Sequence, residues 1–339
     1  MCIGENAVPA SDVARWRRIL STYRTPNTWR GVVEIAITAL PFAAAWSLMA
    51  WALVHRQFWL YALLLLPAAG FLIRLFLIQH DCGHRAFVAN RSANDWIGRV
   101  ISVLTMMPYD HWRRGHATHH ATSGNLGRRG TGDVDTLTVN EYLARSRWTR
   151  LRYRAYRHPA VMFSVGPAFL FLLQNRVPSG AMRDGWVPWL STMATNVAIA
   201  IVAGSLIWLM GPWLFLAVHA PIVLIGATAG VWLFYVQHQF EQTYWAAHEN
   251  WNVHEAALYG SSYYDLPPVM KWFTANIGVH HVHHLASQIP YYRLPNVLRD
   301  HPELRGVSRL TLRQSLHCVR LALWDEANRR LISFKQLPR

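Results

Sequence analysis

The feature that most constrains this 339-residue chain is an apolar run from Phe58 to Gln79 that stops at His80-Asp81-Cys82-Gly83-His84. Only Arg74 puts a charge inside the run. Its 22 residues, at about 1.5 Å each in a helix, reach roughly 33 Å and cross a bilayer core. The histidines that follow therefore sit at the membrane surface. If the helix continues one turn past Gln79, His80 and His84 lie at i and i+4 on one face, so two imidazoles converge on one metal ion.

Composition extends the same reading to the whole chain. With 52% hydrophobic residues, 15% charged residues and 17 Trp, the chain is an integral membrane protein rather than a soluble domain. A formal charge of +15 raises the question of a nucleic-acid partner. The basic residues flank apolar runs instead of gathering in one domain, which is the positive-inside pattern, and no nucleic-acid partner is expected. Cys2, Cys82 and Cys318 are far apart and form no CxxC, so free thiols and a cytoplasmic site are expected. Residues 1–30 contain no apolar signal segment, so targeting falls to the first span.

In chain order, residues 1–31 form a basic, Trp-containing cytoplasmic segment. A hairpin of two spans follows, Val32–Val54 and Phe58–Gln79, within residues 32–79. Glu34 and Arg74 fall near the same end of this hairpin and are expected to pair or snorkel. Residues 80–185 are rich in arginine; two shorter apolar pieces there, Trp96–Met107 and Ala160–Leu173, are expected in the interface or beneath the spans. A second hairpin occupies residues 186–236, Trp186–Met210 and Pro212–Val236, turning at Gly211-Pro212. Residues 237–339 complete the cytoplasmic portion and end in a basic, helix-prone tail from about Arg309. The expected fold is a single all-α integral membrane domain: four transmembrane helices as two hairpins, with a cytoplasmic helical cap holding a di-metal histidine site.

That topology brings further histidines to the side of His80 and His84. His116-Ala-Thr-His119-His120 and His280-His281-Val-His283-His284 each hold an HxxHH set, and each is expected to aim three rings one way along a helix face. His238 adds a ninth ring beside the end of the fourth span. A zinc site uses about four ligands or fewer, so nine imidazoles exceed one ion and two metal ions are the simplest stoichiometry. The residue types alone leave Fe, Cu, Zn and Ni open.

HDCGH, HATHH and HHVHH on a chain with two membrane hairpins resemble the three histidine boxes of membrane-bound fatty acid desaturases, over about residues 30–300. The flanks Pro108-Tyr-Asp-His-Trp-Arg-Arg, Gly132-Asp-Val-Asp-Thr136 and Phe234-Tyr-Val-Gln-His-Gln-Phe resemble the bacterial acyl-lipid type acting at Δ12 (omega-6). The resemblance implies that His80 and His84, then His116, His119 and His120, then His280, His283 and His284, with His238, ligate two iron ions. It implies O2 as co-substrate, a membrane acyl chain as substrate, and no catalytic side chain beyond the ligands. One departure is Arg85-Ala86-Phe87 after His84, where the family often has a small residue and then Ser-Phe or Phe-Phe.

The chemistry agrees with this assignment. An unactivated methylene has no acidic proton, so its desaturation needs a metal–oxygen oxidant beside the membrane. Hydroxylases, ketolases and alkane hydroxylases share such boxes and remain an alternative outcome of the same oxidant. A metal transporter is a distant third reading, since transporters place polar ligands at the bilayer midplane. No flavin, nicotinamide or haem motif is present, so electrons are expected from a separate protein, which the family resemblance implies is a ferredoxin-like or other carrier. Arg113, Arg114, Arg128 and Arg129 are the expected docking face for an acidic donor. Among nearby carboxylates, Asp81 and Glu241 are candidates to orient imidazoles, whereas Asp133 and Asp135 are expected to structure their loop.

Overall fold

A computed structural model describes residues 10–130, 132–178 and 185–337. Cys2 and Glu5 lie outside the described residues. After α1 (Ala10–Ser21), the first hairpin is α2 (Thr28–Val54) and α3 (Phe58–Gly83). The second is α9 (Trp186–Met210) and α10 (Pro212–His238). All four are long and apolar enough to cross a membrane, and the chain is an integral membrane protein. α2 begins four residues earlier than the apolar run suggests, because the Asn27 side chain caps it by accepting from Arg30 N.

Tryptophans mark both ends of the spans. Trp29 and Trp186 are exposed at the histidine end, and Trp51, Trp59, Trp208 and Trp213 are exposed at the opposite end. Two girdles of this kind are the usual signature of indoles settling at the two membrane–water interfaces. Between them, Glu34 and Arg74 pair as expected, fully buried, with Arg30 2.6 Å from the same carboxylate and the Tyr291 hydroxyl donating to it at 3.0 Å. The pair therefore ties both helices of the first hairpin to the cap.

The segment between the hairpins carries α4 (Arg91–Thr105), α5 (Tyr109–Thr122), β1 (Leu137–Thr138), α6 (Val139–Ala144), α7 (Arg147–Tyr156), a π-helical turn at Val161–Val165, and α8 (Gly166–Leu172). The two short apolar pieces become α4, lying against α3 and α9, and α8, lying against α10. Each keeps an exposed apolar side, Trp96 and Val100 on α4 and Phe169 and Leu172 on α8, as interface-level helices do.

After α10 come α11 (Val253–Tyr259), β2 (Tyr263–Asp265), α12 (Pro268–Phe273), α13 (His280–Leu285) and α14 (Leu294–Asp300). The tail is not the helix expected from Arg309. It forms β3 (Arg309–Thr311), a short α15 (Leu312–Cys318), and an antiparallel hairpin of β4 (Leu321–Asp325) and β5 (Arg330–Ser333). Asp325 Oδ1 accepts from Ala327 N and Asn328 N, both at 3.1 Å, which turns the chain where a helix would have continued. β4 also pairs with β1, and β2 with β3, so a mostly helical chain carries two small sheets that fasten the tail to the cap. Cys82 and Cys318 are free and buried.

Candidate metal centre

Four elements deliver the rings. α3 does continue one turn past Gln79, so His80 lies on its last turn and His84 caps it. α5 begins just after Pro108, which occupies its N-cap position, and carries His116, His119 and His120. α10 ends on His238. α13 follows a tight turn in which a Cβ on Gly278 would stand 2.4 Å from the Tyr264 carbonyl oxygen, so only glycine lets the chain pass and reach His280.

All nine expected histidines converge, in two groups: His80, His84, His116, His120 and His283 form one, and His119, His238, His280 and His284 the other. Within each, one ring nitrogen from every residue lies within 4.8 Å of all the others. The expectation that each HxxHH set aims all three rings one way needs correction. The i and i+4 rings go together while the i+3 ring crosses to the other group, because 100° per residue separates i+3 from i+4 enough to face a second centre. His120 and His284 stack at 4.1 Å where the groups meet.

The nitrogens face one another in a pattern that hydrogen bonding alone does not explain. His116 Nε2 is 3.0 Å from His84 Nε2 and 3.1 Å from His120 Nε2. His238 Nε2 is 3.1 Å from His119 Nε2 and 3.0 Å from His280 Nε2. A ring nitrogen has one in-plane site and cannot serve two such neighbours at once. Lone pairs pointed at a common cation can, and the donor set fits metal ions. Burial in turn holds His116, His120, His280, His283 and His284 well below the ordinary imidazole range, with neighbouring rings adding to it. Neutral imidazole is the form that ligates.

The surrounding carboxylates fall out differently from the sequence expectation. Asp133, expected to shape its loop, accepts from His119 Nδ1 at 2.5 Å and fixes that ring. Asp81 accepts instead from Tyr291 N at 2.7 Å, with its other oxygen 3.5 Å from His80 Nδ1. Glu241 reaches no imidazole; it pairs with Arg330 at 3.3 Å. Asp110 holds Arg99 and Ser191, and the Asp135 carbonyl accepts from Arg157. His238 Nδ1 donates to the Gly260 carbonyl at 3.1 Å. His281, outside both groups, donates to the Leu304 carbonyl at 3.0 Å, and burial lowers it to about 4.

Sequence reasoning missed Trp112, which stacks on His116 at 4.6 Å and touches Phe76 and His80. Its i, i+4 spacing to His116 was the available signal. The departure at Arg85 is local: it pairs with Asp95 at 2.9 Å and leaves the rings alone. Of the arginines expected to face a donor, Arg113 and Arg129 have internal partners. Arg113 donates to the Gly83 carbonyl, and Arg129 pairs with Glu141 at 2.5 Å.

Known proteins carry the same arrangement of sequence. A protein of Bacillus subtilis named "Fatty acid desaturase" is 43% identical over 319 residues, covering 94% of this chain and 90% of that protein. Two Synechocystis proteins are more distant. An "sn-1 oleoyl-lipid 12-desaturase" is 28% identical over 239 residues, covering 65% of this chain and 62% of its own. An "sn-1 acyl-lipid omega-3 desaturase (ferredoxin)" is 29% identical over 236 residues, covering 65% and 61%. The family profile described as "Fatty acid desaturase" matches residues 57–315, a stretch that runs from the first turn of α3 past the last histidine set, and the chain belongs to the fatty acid desaturase family.

Proposed function

We propose that the nine histidines hold two iron ions and that the chain, acting as one domain, introduces a cis double bond into the acyl chain of a membrane lipid. The observation that carries this is the convergence of nine imidazoles into two touching groups at one end of the membrane helices. When bound, the irons would supply the O2-derived oxidant that removing hydrogen from a methylene requires.

The protein's own residues then have three tasks. They hold the rings, with Asp133 and the Gly260 carbonyl fixing His119 and His238. They keep water from the reacting carbon, with Phe234 against His119 and His238 and Trp112 against His116. They also seat the chain: an apolar groove between α3, α8 and α10 is lined by Leu72, Phe76, Phe171, Val223, Gly226 and Gly230. Phe76 is one turn before His80, roughly 6 Å along the helix. A polar headgroup is excluded from such a groove, so the methyl end of the acyl chain enters it.

The position of the new bond is proposed as Δ12 (omega-6), on the resemblance of the flanking residues. Identity to the 12-desaturase, 28%, does not exceed identity to the omega-3 enzyme, 29%, so relatedness does not decide it. The positive-inside pattern supports placing the site on the cytoplasmic side of a bacterial inner membrane. An electron carrier of the ferredoxin kind is the proposed partner, in line with the name of the omega-3 relative.

The test is mass spectrometry of fatty acids, with double-bond location, from cells making the protein or its His284→Ala variant. New monounsaturated or diunsaturated chains with the wild type alone are expected. Hydroxylated chains without new double bonds would overturn desaturation, and a bond elsewhere would overturn Δ12. Because a Cβ on Gly230 meets nothing within 4 Å, Gly230→Leu fills groove rather than protein. It should shift the preferred substrate to shorter chains.

A further inference from the structure

From Glu141 to Asp184 the chain has no acidic residue, yet it contains eight arginines between them: Arg145, Arg147, Arg150, Arg152, Arg154, Arg157, Arg176 and Arg183. Topology alone asks only that positive charge lie on this side. It does not ask for order among the charges, and α7 is ordered. At 100° per residue Tyr153 points inward, where it is buried and donates to the Ala322 carbonyl at 2.6 Å. The opposite side presents a stripe of Trp148, Leu151 and Ala155, with Arg147 along one edge and Arg152 along the other. Trp148 is 77% exposed and Leu151 55% exposed.

Other arginines of α7 are engaged with the protein. Arg154 donates to the Tyr142 hydroxyl at 2.7 Å and lies over the Phe334 ring. Arg157, just past the helix, is buried and donates to the Tyr235 hydroxyl at 3.2 Å, three residues before His238. That bond sets the end of α7 level with the end of a membrane span. The chain then continues into the apolar segment that rests on α10 with Val165, Phe169 and Leu172 exposed. A short helix at this depth, with an exposed apolar stripe edged by arginines, has the pattern of an interface-lying helix.

We propose that the outer face of α7 binds anionic phospholipid headgroups, with Arg147 and Arg152 on the phosphates and Trp148 and Leu151 seated at the headgroup boundary. An acidic protein would match the charge but would leave the indole and the leucine without a reason. A membrane surface accounts for both. Through Arg157 and Tyr235 the same contact steadies the cap over the groove, so turnover rises with anionic lipid. This last clause rests on the desaturase reading, whereas the lipid selectivity does not.

The experiment uses the full-length protein in phosphatidylcholine nanodiscs carrying tracer spin-labelled phosphatidylglycerol or phosphatidylcholine. The readout is the ratio of the two lipids in the motionally restricted shell. Arg147→Gln/Arg152→Gln should lower the preference for phosphatidylglycerol by about fivefold or more, and Arg147→Lys/Arg152→Lys should retain it. Trp148→Ala should weaken restriction of both lipids. An unchanged preference in the glutamine variant, with the thermal midpoint of the wild type, would overturn the proposal. So would an unchanged preference accompanied by a higher half-saturating concentration of an acidic iron–sulfur donor, which would give the surface to a protein. Should no desaturation occur under any condition, the selectivity measurement still stands or falls alone.

Discussion

The two histidine groups are built from the same parts and differ by one ring. The second histidine set gives two rings to the larger group and one to the smaller; the third set does the reverse. The imbalance comes from the membrane helices. α3 ends with His80 and His84 at i and i+4, while α10 ends with His238 alone. One turn before His238 stands Phe234, whose ring lies 5.1 Å from His119 and 5.2 Å from His238. At a six-coordinate ion five ring donors would leave one position and four would leave two, so the smaller group would leave more room for a co-substrate. The inequality makes the smaller group the more open of the two, beside the apolar Phe234 ring.

This comparison breaks most visibly when a donor is removed from each side. His284→Ala cuts the smaller group to three rings; product formation should fall to background and bound metal from about two ions to about one per chain. His84→Ala leaves four rings on the other side, and metal content should remain close to two. Metal analysis of the two purified variants decides it. Equal metal loss from both would show that the groups are not separately sufficient. The converse change, Phe234→His, adds a fifth donor to the smaller group. Metal should then resist chelators longer than in wild type, while turnover drops severely.

The groups also differ in how their rings are aimed. In the smaller, His119 is fixed by Asp133 and His238 by the Gly260 carbonyl, while His280 Nδ1 is buried without a hydrogen-bond partner; in the larger, His80 Nδ1 and His283 Nδ1 are both buried without one, the nearest Asp81 oxygen standing 3.5 Å from His80 Nδ1. Asp133→Asn should therefore cost roughly 10–100-fold in activity or in metal affinity of the smaller group. Titrating metal into stripped protein reads this as one weakened site beside one unchanged site. Two equally weakened sites would remove the asymmetry.

Much of this centre is readable along the chain because it is periodic. The i, i+4 spacing of His80 with His84, and the ends of the apolar runs, give both the spans and the nine rings. What is not readable depends on tertiary partners. Asp133 looks like a loop aspartate beside Gly132 and Asp135 until α5 brings His119 against it. The i+3 rings of α5 and α13 appear to join their neighbours until a second centre exists for them to face. The tail from Arg309 reads as helix by composition, yet β4 is buried between β1 and β5, and burial outweighs propensity.

A smaller effect is expected from acid. Burial holds three rings outside the spans in the larger group (His116, His120 and His283) and two in the smaller (His280 and His284) below their unfolded value. With folded pKa values depressed, the unfolded chain binds more protons once pH drops below about 6.5. Metal-free protein should be equally stable at any pH moderately above that value and lose thermal midpoint progressively below it. A midpoint that stays flat down to about pH 5 would mean the rings are not held neutral by burial.

The smallest effect should come from Glu241, which separates position in sequence from position in space. It lies three residues from His238, closer along the chain than Asp133 is to His119. Its side chain is nonetheless 57% exposed and meets Arg330, itself 45% exposed. Screened pairs of this sort contribute about 0–1 kcal/mol. What Glu241 does supply is its backbone carbonyl, which accepts from Leu331 N at 2.9 Å and docks the tail hairpin. Glu241→Gln keeps that carbonyl, so turnover, metal content and thermal midpoint should all match wild type. A rate loss approaching that of Asp133→Asn would mean that charge alone, without contact to a ring, tunes the smaller group, and orientation by hydrogen bonding would lose its place as the cause.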